Sequence, residues 1–148
     1  MDVTSFTIDH NTLKRGVYVS RADAVGGDFV TTFDIRMKEP NREPAISTAA
    51  IHTLEHLLAV YLRGDAVWAD KTVYIGPMGC RTGFYFIFKG ELSAKDVMDP
   101  VIKAFEYAAG FEGDVPAAAS EMCGNYLDHN LSMAKWESKK YLDVLYKI

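Results

Sequence analysis

The sequence predicts an α+β fold, one domain over residues 1–148 with an antiparallel β-sheet packed against helices. Three observations carry this. Strand-like and helix-like segments come in runs rather than in strict alternation. One long segment alternates apolar and polar residues on both sides of a Gly-Gly pair, as an antiparallel hairpin does. The chain of 148 residues is 49% hydrophobic and 24% charged, enough apolar material for one core and too short for two.

The elements follow in order. GVYVSRADAVGGDFVTTFDIRM predicts a β-hairpin turning at Gly26-Gly27. MKEPNREPAIS, with two prolines, is a loop. Ser47 or Thr48 can cap a helix reaching about Arg63, where Gly64 is placed to stop it. TVYIG and GFYFIFKG are two strands joined by the tight connection PMGCRT. SAKDVMDPVIKAFEYAAG is a helix with Ser93 and Asp96 as a capping pair, and Pro100 either kinks it or marks its true first turn. EGDVPAAASEMCGNY is irregular. A last helix runs from about Asp128 to Tyr146, with Leu131, Ala134, Tyr141, Leu142 and Leu145 facing inward.

Composition narrows the function. A net charge of −4 without basic clusters argues against a nucleic-acid partner. No apolar run approaches a membrane span, and MDVTSFTIDH lacks the basic start and apolar stretch of a secretory signal, so a cytoplasmic protein is expected. In that compartment Cys80 and Cys123 stay reduced.

The first helix carries the chemistry. In AIHTLEHLLA, Ile51, Leu54, Leu58 and Leu62 fall on one buried stripe at 100° per residue. His52 and His56 are one turn apart, within about 40° of each other around the axis. Two imidazoles so placed can reach one metal ion, and Glu55 lies close enough to move protons beside it. The order His-x-x-Glu-His is the inverted zinc-protease motif. The pair needs a third ligand. Cys123, beside Gly124, would complete a set of two histidines and a thiolate with one position open for water or substrate. Cys80, in a turn between strands, suits a base or nucleophile. Spacing alone does not decide which thiol binds the metal.

The segments SFTIDHN, FDIR followed by EPN, IHTLEHLLA, GPMGCRTGFY and CGNYLDHNL resemble, in order, the successive motifs of the S-ribosylhomocysteine lyase (LuxS) family, from Ser5 to Leu131. The resemblance implies the LuxS, inverzincin-like metalloenzyme fold. It implies a metal held by His52, His56 and Cys123, with Fe2+ the expected ion and Zn2+ or Co2+ able to replace it. Glu55 then matches the general acid/base and Cys80 the catalytic thiol. Ser5, His10 and Arg36 match residues that hold the sugar end of S-ribosylhomocysteine, contributed in the family by the neighbouring subunit of a homodimer. The implied reaction moves the sugar carbonyl from carbon 1 to carbon 3 and expels homocysteine, leaving 4,5-dihydroxy-2,3-pentanedione, the autoinducer-2 precursor. Tyr74 and Gly76 depart from the acidic residue and serine common in the family, and Met37 stands where an aromatic is usual. His129 falls in the first turn of the last helix and is given no role. Two rival readings follow from the same residues: a metallopeptidase of the His-x-x-Glu-His type, and a non-catalytic metal-binding homologue.

Overall fold

A computed structural model describes residues 3–148. After a single 3₁₀ turn at Thr4–Phe6 come strands β1 (Gly16–Val25) and β2 (Asp28–Arg36), helix α1 (Thr48–Gly64), strands β3 (Thr72–Pro77) and β4 (Gly83–Lys89), and helices α2 (Ala94–Ala109) and α3 (Leu131–Leu145). The four strands form one antiparallel sheet in the order β1-β2-β4-β3. The α+β class read from the sequence is the one observed.

The sheet alternates as a pleated surface must. Phe33, Phe86 and Ile75 lie abreast in register and are buried. With Ile35, Phe84 and Phe88 they meet Leu54, Leu57, Leu58 and Leu62 of α1, and Val101 and Phe105 of α2, in one core. The next row, Tyr18, Asp34, Tyr85 and Gly76, points to the opposite face. On that face Tyr18 and Tyr74 are 38% and 51% exposed. Tyr141 of α3 ties the last helix to the sheet, donating from Oη to the Gly16 carbonyl at 2.6 Å.

The hairpin turns where Gly26-Gly27 predicts, with Gly26 at φ +61°, a conformation glycine adopts without a Cβ penalty. Ser47 is the cap of α1, accepting from the Ala50 amide at 3.3 Å. Ser93 and Asp96 form the full reciprocal capping box of α2. Of the two places the sequence leaves for Pro100, the interior of α2 is the one observed, since the box starts the helix at Ala94. One boundary differs from the sequence reading. The last helix begins at Leu131, not Asp128, because Asn130 caps it by accepting from the Met133 amide at 3.0 Å. His129 therefore lies ahead of the helix. Among the described residues, no helix is long and apolar enough to cross a membrane.

Candidate metal centre and active site

Helix α1 sets the platform. Its apolar stripe is fully packed, so the two border histidines have a fixed backbone beneath them. Each ring is then oriented by a carbonyl from a distant loop. His52 Nδ1–H donates to Asp128 O at 2.9 Å, and His56 Nδ1–H donates to Pro116 O at 2.7 Å. A carbonyl can only accept, so the proton of each neutral ring is on Nδ1 and the Nε2 lone pair is left bare. Cys123 Sγ lies 3.3 Å from His52 Nε2. Its own amide donates to Ala119 O at 2.9 Å, which fixes the turn that presents it.

A fourth donor stands with these three. His129 stacks on His52 at a centroid distance of 4.0 Å and meets His56 edge-on at 4.7 Å. Its Nδ1 is 2.9 Å from Thr53 Oγ1, while its Nε2 is buried without a partner among the described residues. The donor atoms of His52, His56, Cys123 and His129 all lie within 4.8 Å of one another. Burial first, then the His52 and His56 rings, holds His129 below the ordinary histidine pKa and favours the neutral ring. Bare imidazole nitrogens, a thiol and an orphaned buried Nε2 turned on one point fit a borderline-soft divalent cation. Both cysteines are free.

The sequence reading missed His129 because it placed that residue on a helix face. The usable signal was a third histidine six residues beyond Cys123 in CGNYLDHN, a segment too irregular to carry periodicity.

Glu55, on α1, lines a cleft of about 360 Å³ together with His56, Ile75, Pro116 and Met122. Ser5, His10, Arg36 and Cys80 are likewise brought together, with Tyr85, around a cleft of about 310 Å³. No residue lines both clefts. Ile75 belongs to the helix-covered face of the sheet and Tyr85 to the opposite one. One chain alone thus places Cys80 apart from the donor cluster, with the three residues expected to bind the sugar.

The Cys80 turn is tightly built. Met78 N–H donates to Gly83 O and Arg81 N–H to Met78 O, each at 2.9 Å. Thr82 O accepts from the Met37 and Lys38 amides at 2.9 and 3.0 Å, pinning the turn to the end of β2. Beneath it Arg36 is 1% exposed. Its Nε and Nη2 donate to Asp34 at 3.0 and 2.6 Å, and its Nη1 donates to Thr82 Oγ1 at 2.8 Å. His10 Nδ1–H donates to Ile8 O at 2.8 Å, the same tautomer-fixing contact made by His52 and His56.

Tyr74 and Gly76 form one packing unit, since a Cβ on Gly76 would overlap the Tyr74 ring and hydroxyl. The phenol occupies the space that a side chain at 76 would need, so the two departures belong together. Met37 is buried, 3% exposed, and acts as core filling.

A family model described as S-Ribosylhomocysteinase (LuxS) matches residues 3–148. The S-ribosylhomocysteine lyase of Phocaeicola vulgatus is 61% identical over 140 residues, covering 95% of this chain and 87% of that protein. That of Porphyromonas gingivalis is 52% identical over 140 residues, covering 95% and 88%. That of Borreliella burgdorferi is 53% identical over 146 residues, covering 99% and 93%. A relative at such identity along almost its whole length shares the fold, and here the donor cluster and the thiol turn stand on that fold; the chain belongs to the S-ribosylhomocysteinase (LuxS) family.

Proposed function

We propose that this chain, as a single domain, is a cytoplasmic S-ribosylhomocysteine lyase that releases homocysteine and 4,5-dihydroxy-2,3-pentanedione, the precursor of a quorum-sensing signal. The observation that carries the reading is the donor cluster, with His52 and His56 of α1 bared at Nε2 by backbone carbonyls and Cys123 and His129 beside them, in a chain of this family. His52, His56 and Cys123 would hold one divalent ion, with Fe2+ our assignment and Zn2+ or Co2+ as substitutes. A bound cation supplies Lewis acidity toward the sugar oxygens.

The remaining work belongs to side chains. Glu55, beside His56, moves protons to and from the oxygens of the migrating carbonyl. Cys80 takes and returns the protons on carbon, and then removes the one on carbon 4 so that the thioether leaves as homocysteine thiolate. Ser5, His10 and Arg36 line the Cys80 cleft and hold the sugar end.

The two clefts become one site in a homodimer. Cys80 and its neighbours from one copy would face the metal and Glu55 of the other, across the sheet face that exposes Tyr18 and Tyr74. The peptidase alternative gives the Cys80 cleft nothing to do.

Anaerobically prepared, iron-loaded protein should release one thiol per S-ribosylhomocysteine consumed. Cys80→Ala and Glu55→Gln should end turnover with metal content intact, whereas His56→Ala and Cys123→Ala should lose the metal. Mixing Cys80→Ala with His56→Ala protein should restore turnover, each supplying the half-site the other lacks. No thiol release from metal-loaded wild type would defeat the assignment, and no rescue on mixing would defeat the shared site.

A further inference from the structure

The Arg36 guanidinium has one arm left over. Asp34 engages Nε and Nη2 as a fork, which fixes the plane of the group and points Nη1 along the sheet toward the Cys80 turn. That arm ends on Thr82 Oγ1 at 2.8 Å, not on sulfur. A threonine hydroxyl has one proton and two lone pairs. An Arg N–H can only donate, so Thr82 accepts there and its proton is free to point elsewhere. Two acceptors lie in reach: Cys80 Sγ at 3.1 Å and Met78 Sδ at 4.0 Å. The shorter contact runs to the sulfur that can carry a negative charge.

We propose that Thr82 is the positioning residue that passes the polarisation of the buried Asp34–Arg36 pair to Cys80, donating a hydrogen bond to Sγ that favours the thiolate over the thiol. Thr82 is 6% exposed and Arg36 1%, so water competes little for the bond between them. Accepting from a cation makes the hydroxyl a stronger donor toward sulfur. The threonine methyl restricts χ1, which keeps the hydroxyl in line between guanidinium and thiol. The inference builds on Cys80 being the thiol of the proposed lyase, but the hydrogen-bond chain can be tested without substrate.

The other titratable or charged groups facing Cys80 are His10 from the N-terminal segment, Tyr85 from β4, and Arg36 with Asp34 from β2. Arg81, next in the turn, is directed away by its bond to Ile46 O at 2.7 Å. All are retained in a Thr82 variant, whose changes are the lost hydroxyl and the acceptor it gave Arg36 Nη1.

The test is the alkylation rate of Cys80 in metal-loaded protein, followed peptide by peptide so that Cys123 is scored separately. Thr82→Val should slow Cys80 alkylation near pH 7 by about tenfold, the worth of a hydrogen bond to a charged group. At a pH high enough to ionise any thiol the rates should converge, and Thr82→Ser should restore the neutral-pH rate. Lyase kcat should fall with the alkylation rate while KM changes little. Thr82→Ala serves as a second deletion if valine disturbs the turn, since the backbone carbonyl that pins the turn is unaffected. Unchanged alkylation near pH 7 in either folded variant would overturn the proposal, as would a slowing that persists equally at high pH, the mark of lost access. Slowed alkylation with undiminished lyase turnover would leave the hydrogen-bond chain standing and remove Cys80 from the proposed reaction.

Discussion

Replacing Arg36 by methionine isolates the largest electrostatic commitment in the sheet. Asp34 and Arg36 are each 1% exposed, and among the described residues both Asp34 oxygens bond only to Arg36. Burial first, then the charge of Asp34, pushes the Tyr18, Tyr85 and Tyr141 phenols above the ordinary tyrosine value, so the carboxylate sits among groups that cannot neutralise it. Taking away one partner of such a pair leaves a buried charge alone, a loss of about 3–5 kcal/mol. That is a large share of the roughly 5–15 kcal/mol that holds a domain folded. Removing both charges is a different perturbation: Asp34→Leu with Arg36→Met replaces two desolvated ions by apolar volume and should recover most of the loss. Urea unfolding at one fixed protein concentration reads this out, with Arg36→Met lowering the midpoint by more than about 1 M. A loss below about 1 kcal/mol, or a double variant no more stable than the single one, would refute the reasoning.

Three further outcomes follow from other parts of the fold. Gly83→Ala should destabilise by roughly 2–3 kcal/mol in thermal unfolding and displace the Cys80 turn, because the new Cβ would overlap Ile35 O and come within 3.0 Å of its carbonyl carbon. Tyr141→Phe should lose about 1–3 kcal/mol by leaving the Gly16 carbonyl without its partner, a loss visible as faster amide exchange where α3 meets β1. Glu43 combines burial, which alone raises its pKa, with a two-bond Arg15 pair at 2.8 and 2.6 Å and the Glu39 amide, which together bring it below the usual value. Its stabilisation is therefore full above the unfolded glutamate pKa and lost as pH falls through the lower folded one. Glu43→Gln should be less stable than wild type at pH 7 by roughly 1–2 kcal/mol, and the difference should shrink toward zero in acid.

What could be read from residues alone was whatever local chemistry dictates. Gly26-Gly27 specifies its turn, Ser47 and Ser93 their caps, and the Ile51–Leu62 stripe its buried face, because each depends on neighbours within a turn or two. His52, His56 and Glu55 were legible for the same reason. The third donor was not: Cys123 and Cys80 were equivalent by spacing and were separated by resemblance. His129 was invisible because its role depends on Thr53, 76 residues away, and on an Asn130 cap that moves the helix start past it. The division into two clefts was equally hidden, since it arises from which sheet face Ile75 and Tyr85 take in register. Arg36 shows the limit from the other side. Its motif predicts a sugar contact, and the structure adds that its guanidinium is bound to Asp34 and Thr82 beneath the cleft.

The central claim is a division of labour between two sulfurs, and cobalt reads it directly. Protein reconstituted with Co2+ should show thiolate-to-metal charge-transfer absorption that persists in Cys80→Ser and vanishes in Cys123→Ser. Absorption lost with Cys80→Ser and kept with Cys123→Ser would contradict the account.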